Sequence, residues 1–192
     1  MRLSVNRAQV GVLFGMLALL VLALTQTSRA ADGGAPVPLA RQSPDWLRDG
    51  VIYEVFPRAF SPQGNFNGVT AQLDRLKDLG VNVVWLMPIH PTGKLKAKGT
   101  LGSPYAVRDY DAINADYGTA ADFKRLIAAA HKRDMKVFID IVANHTSWDS
   151  VLIDKHADWF VHDAAGRIVP PNPDWVDVAD LDYSKPALRC CK

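Results

Sequence analysis

Cysteine is almost missing from this 192-residue chain: there are two, Cys190 and Cys191, side by side near its end. A disulfide wants Cα atoms roughly 5.5 Å apart, which consecutive residues rarely offer each other. No disulfide framework is therefore expected, although one of the pair can bridge to another molecule. An excess of one charge is missing too. The whole chain carries a formal +2, and loss of a leader containing Arg2, Arg7 and Arg29 but no acid would make it −1. A nearly neutral chain argues against nucleic acid as the partner. The one local basic stretch, "GKLKAKG" with Lys94, Lys96 and Lys98, reads as a solvated loop face. His156 and His162 lack the HExxH type of spacing that a zinc hydrolase needs.

Long apolar runs are scarce as well. Val10 to Leu24 is the single one, about 15 residues, short of the roughly 20 that cross a bilayer. It follows a basic start (Arg2, Arg7) and precedes Ser28-Arg29-Ala30, small residues of the kind a signal peptidase reads. Residues 1–30 are expected to be a signal peptide, with an uncleaved anchor as the alternative. The mature chain is then secreted or periplasmic, with no membrane contact after cleavage. Residues 31–45, rich in Gly and Pro, read as a flexible leader.

What is present is the makeup of an ordinary globular protein, 48% apolar and 22% charged. Val51–Phe56 is a β-prone run closed by Pro57. Val69, Leu73, Leu76 and Leu79 recur at helical spacing, with Gly80 as a stop. Val81–Met87 is a second strand, stopped by Pro88. A long irregular stretch runs to Gly118. Thr119 to Asp122 then has the form of a capping box, opening a helix whose stripe is Phe123, Leu126, Ile127 and Ala130. Asp134-Met135 makes a turn into a third strand. From Thr146 on no strong period is visible.

The order is β-α-β-loop-α-β, with strands nearly apolar on both faces, as in a parallel sheet covered by helices. Helix-to-strand links are short and strand-to-helix links long, the asymmetry of a (β/α) barrel whose site lies at the carboxyl ends of its strands. An open doubly wound sheet is the runner-up, weakened because no glycine-rich phosphate fingerprint follows Phe56.

The third strand, "VFIDIVANHTS", raises a chemical question. Phe138, Asp140, Val142 and Asn144 share the inward parity, and a lone carboxylate inside a barrel must be paired or hydrogen-bonded. An Asp or a His closing a strand is usually a satisfied structural residue. Asp140, Asn144 and His145 together at one strand's end favour a site.

The surrounding segments sharpen this reading. "DIVANH", "GSPYAVRDYDAINADYG", "VIYEVFPRAF", "LKDLGVNVVWLMPI" and "VADLDYS" occur in the order seen in the α-amylase family of glycoside hydrolases (family 13), which the chain resembles from about Trp46 to Arg189. The resemblance implies the N-terminal part of a (β/α)8 TIM barrel. Its first three units would be residues 46–145, and residues 146–192 would be the start of an inserted domain B. It implies an α-glucan or maltooligosaccharide as the partner. Tyr105 would stack on the sugar beside the scissile bond, His145 would hydrogen-bond that sugar, and Asp140 would be a buried scaffold residue. Asn144 and Asp180 would be ligands of a structural Ca²⁺, although not every family member keeps the ion. Trp148, Trp159, Trp175 and Tyr183 offer a sugar platform or, the preferred reading, the small core of domain B.

No catalytic residue can be named. The family's nucleophile, acid/base and third carboxylate follow the fourth, fifth and seventh strands, beyond Lys192, and a whole barrel takes about 250 residues. "CCK" breaks the family-like pattern, so a frameshift, an early stop or a misplaced gene end is expected, and with it a fragment inactive alone. A non-catalytic carbohydrate-binding protein is the alternative; oligomeric state is not legible.

Overall fold

The computed structural model describes residues 41–191; the expected signal peptide and most of the leader lie outside them. The first elements are α1 (Asp45–Arg48), β1 (Ile52–Val55), α2 (Pro57–Phe60), α3 (Phe66–Ala71), α4 (Leu73–Asp78) and β2 (Val83–Leu86). After a long loop come α5 (Ala120–His131) and β3 (Lys136–Ile139). The chain then forms β4 (His145–Ser147), α6 (Val151–Lys155), β5 (Val178–Asp180) and α7 (Pro186–Cys191).

β1, β2 and β3 form one parallel sheet in that order, with Val55, Leu86 and Ile139 in one row and Glu54, Trp85 and Phe138 in the next. Alternation along a strand sends successive rows to opposite faces. Val55, Val84 and Leu86 face the helices and pack with Phe66, Val69, Leu73, Leu76, Leu126 and Ala130, all fully buried. On the other face Trp85 and Phe138 stay 37% and 38% exposed. There Trp46 of α1 meets Phe138 edge-on at 6.2 Å, and the Asn82 side chain ties α1 to the sheet by accepting from the Val51 amide and donating to the Trp46 carbonyl.

The two helices that feed strands end with the same device. At the end of α4, the Gly80 amide donates to the Lys77 carbonyl and the Val81 amide to that of Leu76. After α5, Asp134 donates to His131 and Met135 to Ala130 in the same pattern. Each closure needs one residue in the left-handed region. Gly80 supplies it at φ 84°, and Asp134, a residue that tolerates this conformation, at φ 55°. The apolar residues that follow, Val81 and Met135, enter the core. The capping box at Thr119 and Asp122 forms as its spacing predicts.

Four sequence expectations need correction. The helix expected through Leu79 breaks at Gln72, and Leu79 is 61% exposed because α4 has already ended. The third strand stops at Ile139, so Asp140, Asn144 and His145 do not close one continuous strand. Asp140 lies just past β3 and is half-buried rather than buried, while His145 opens β4, which pairs antiparallel with β5. Of the aromatic group after β3, Trp159 is in a second apolar cluster with Phe160, Ala179, Leu181 and Leu188, and Trp148 packs against it. Trp175 and Tyr183 remain 46% and 37% exposed, outside that cluster. Finally, "GKLKAKG" is not merely a solvated face. Lys96 sits 3.6 Å over the Trp148 ring and Lys98 pairs with the buried Asp177 carboxylate.

Leu126 joins α5 to the sheet, and truncation of such a fully buried leucine typically costs about 2–5 kcal/mol. Leu126→Ala is expected to lower the urea midpoint of the purified chain accordingly. An unchanged midpoint would show that α5 does not contribute to the cooperative unit.

Candidate functional site

The loop after β2 brings Tyr105 to the carboxyl end of the sheet. Its conformation is held at both ends. The Arg108 amide donates to the Pro91 carbonyl and the Gly93 amide to that of Ala106, while the Ser147 amide takes the Val107 carbonyl. Gly93 is required here. A Cβ on it would lie 2.1 Å from Ser147 Cβ and 2.3 Å from Asp149 Oδ1, so the loop and the segment after β4 can meet this closely only across a glycine. Asp149 Oδ2 accepts the Lys94 amide at 3.0 Å.

Tyr105 itself is half-buried. Burial raises its hydroxyl above the ordinary tyrosine value, and the Asp140 carboxylate beside it and the charge of Glu54 add to this. The phenol therefore stays neutral. Asp140 is fixed through its own amide, which donates to the Leu86 carbonyl at 2.8 Å.

A second group forms around His145. Its Nδ1 lies 3.1 Å from the Asn144 amide nitrogen, its ring meets Trp175 edge-on at 5.7 Å, and its cross-strand neighbour is Asp180. Burial raises the Asp180 carboxyl, with Asp182 adding to the shift, while the Leu181 amide and the charge of His145 act in the opposite sense. The link between the two groups, residues 140–145, is pinned by tyrosines. The Tyr110 hydroxyl reaches the Val142 carbonyl at 2.7 Å and the His145 carbonyl at 2.9 Å, and Tyr183 donates to the Ala143 carbonyl.

Tyr105 thus meets Asp140, and His145 meets Asn144, Asp180 and Trp175. A cleft of about 880 Å³, lined in part by Arg58, Lys94, Arg108, Asp116 and Asp149, does not include Tyr105 or His145. The sequence reading does not single out Tyr110 or Asp177, takes Lys98 for part of a solvated loop face, and prefers a core role for Trp175. Tyr110 lay inside the quoted loop motif, and an acid at 177 beside an apolar β-prone run was the one signal that a cation must come to meet it.

Calcium takes six to eight oxygens. Asn144, just before β4, and Asp180 of β5 offer an amide oxygen and a carboxylate, and the Asn144 backbone carbonyl is already taken by the Leu181 amide at 3.2 Å. Among the described residues no three His, Cys, Asp or Glu converge. The pair supplies the oxygen chemistry calcium prefers but only part of the shell it needs.

The sheet, its helices on one face and the loops gathered at the carboxyl ends of its strands describe part of a (β/α) barrel. The family described as "Alpha amylase, catalytic domain" matches residues 30–180, and the chain belongs to that family. An alpha-glucosidase of Schizosaccharomyces pombe is 37% identical over 158 residues, covering 80% of this chain and 25% of its own length. An oligo-1,6-glucosidase of Halalkalibacterium halodurans is 36% identical over 133 residues, 67% of this chain and 21% of its own. Among solved structures, an alpha-amylase from Lactobacillus plantarum superposes with a TM-score of 0.73 at 56% identity, covering 74% of this chain and 34% of the other. The chain therefore spans about a fifth to a third of these relatives. Its fold is an α/β fragment of the TIM barrel they share.

Asp149 provides a pH-dependent check on the loop anchor. Burial pushes its carboxyl up, but the Lys94 amide and further backbone amides outweigh this and hold it below the ordinary 3.8. A depressed folded-state pKa stabilises the fold above the unfolded value, and that contribution is lost as pH falls through the folded one. Asp149→Asn is expected to melt earlier than wild type at pH 7, with the difference closing below about pH 3.8. A difference that persists at pH 2 would rule out Asp149 as the source.

Proposed function

We propose that this chain carries the sugar-facing wall of an exported glycoside hydrolase of the α-amylase type, acting on α-glucosidic bonds of starch-like or maltooligosaccharide substrates. The observation that supports it best is the placement of Tyr105, by the loop after β2, at the carboxyl end of the parallel sheet, where such barrels keep their sites. In this reading the Tyr105 ring offers an aromatic face to the C–H side of a pyranose. His145, held by Asn144 and opposed by Asp180, presents an imidazole to a sugar hydroxyl. In this reading Met1 to Ala30 directs export, and residues 146–192 belong to domain B.

A structural Ca²⁺ would be held by the Asn144 side-chain oxygen and Asp180, with the remaining oxygens from elsewhere. Bound there, it would neutralise the Asp180 carboxylate and brace β4 against β5. Asp140 is a scaffold residue in this scheme, not the group that attacks the sugar.

Hydrolysis with retention needs two carboxyl groups across the bond, about 5–5.5 Å apart, and no residue within 41–191 is assigned either role. The purified chain is accordingly expected to bind maltotriose without cleaving it. Titration calorimetry tests this: Tyr105→Ala should weaken binding at least about tenfold, a loss in keeping with the area an aromatic buries. No binding by the wild-type chain would sink the site. Reducing-sugar release above a blank would instead place catalytic groups within this chain.

A further inference from the structure

The lysine stretch of the β2 loop makes a contact that the sugar-site reading does not use. Lys98 Nζ lies 3.1 Å from Asp177 Oδ1 and donates to the Asp174 carbonyl at 2.9 Å. Asp177 is 6% exposed; a carboxylate buried to this degree requires a compensating charge. The two contacts fall on either side of Trp175. A third comes from Trp148, whose Nε1 donates to the Val176 carbonyl at 2.8 Å. Upstream, Asn172 turns the backbone by accepting the Trp175 amide on its carbonyl and the Asp174 amide on Oδ1, both at 2.9 Å.

The backbone around Trp175 is thus gripped from three directions while its side chain is left out. The residue is 46% exposed and its ring stands at 70° to that of His145. Little apolar packing accounts for an indole held there, since it is not part of the cluster that buries Trp159. A fixed, exposed aromatic face next to a hydrogen-bonding imidazole has the chemistry that recognises a pyranose, whose C–H face is apolar and whose rim is polar.

We propose that Lys98 is a positioning residue for the sugar site: by pairing with Asp177 and the Asp174 carbonyl it holds Trp175 beside His145 as a second aromatic wall, which takes a glucosyl unit of an α-glucan. This rests on the sugar-site reading above. It adds that the loop carrying Tyr105 also sets the position of an aromatic residue contributed by a distant part of the chain.

The test reads the His145 ring-proton resonances, assigned with His145→Gln, together with maltotriose affinity. Trp175→Ala removes the ring current on His145. Lys98→Met/Asp177→Asn removes both charges, so that no unpaired buried carboxylate threatens folding. The double variant should move the His145 resonances toward their positions in Trp175→Ala, and both variants should bind maltotriose about tenfold more weakly. Lys98→Arg, which keeps the ion pair, should retain the wild-type resonances. Unmoved His145 signals in the double variant would overturn the latch. Wild-type affinity in Trp175→Ala would overturn the wall. A wild-type chain that binds no maltotriose removes the sugar reading itself, a failure visible without reference to the His145 signals.

Discussion

Four consecutive backbone carbonyls, from Val142 to His145, set the terms for this molecule. They lie where the chain has left a parallel ladder and is entering an antiparallel one, so most of them have no strand partner. Backbone carbonyls in a folded protein need partners, and here two phenols and one amide supply them. Tyr110 serves Val142 and His145, Tyr183 serves Ala143, and the Leu181 amide serves Asn144. Burial keeps the Tyr110 hydroxyl protonated far above physiological pH, with the charge of Tyr183 adding to the effect. It therefore remains a donor. Because these carbonyls are held, Asp140 and His145 project their side chains from a defined backbone rather than from a loose loop.

This explains which parts of the sequence could be read directly. Helix ends, strand runs and the capping box depend on neighbours in the chain, and the Gly80 stop and the Asp134 turn were visible for that reason. The end of the third strand was not. Ile141 and Val142 continue an apolar run, yet Ile141 is 62% exposed because the ladder ends at Ile139. Apolarity alone cannot distinguish a strand from the segment that follows it. The candidate site residues could be named from the motifs they lie in, but the contacts around them could not. Asp177 and Lys98 are far apart in sequence, and a lysine among lysines looks like a solvent face until its carboxylate is located. The preference for a buried aromatic core after β3 suited Trp159 and missed Trp175 for the same reason, since local composition does not say which indole the cluster will exclude.

The described residues form two apolar clusters of different kinds. One is sheet and helix, closed by local caps and by burial of leucines and valines. The other, around Phe160 and Leu181, is small and has little strand to support it. A small cluster gains little from burial, so its attachment to the rest must come from polar contacts. Those contacts converge on the loop after β2: the Asp149 carboxylate on the Lys94 amide, the Ser147 amide on Val107, the Ser150 hydroxyl and Val151 amide on Arg108, and Lys98 on Asp177.

The consequence is that the loop bearing Tyr105 and the segment bearing His145 and Trp175 cannot vary independently. Their approach is closest at Gly93, where a methyl group has no room. Their charges meet at Asp177, where burial demands a cation. In the proposed reading, a substitution at either point would act on sugar recognition from outside the site, by moving one wall relative to the other. Stacking and hydrogen-bond geometry tolerate displacements of well under an ångström before affinity falls. The specificity of such a site is therefore written partly in the contacts that join the two segments, and only partly in the residues that touch the sugar.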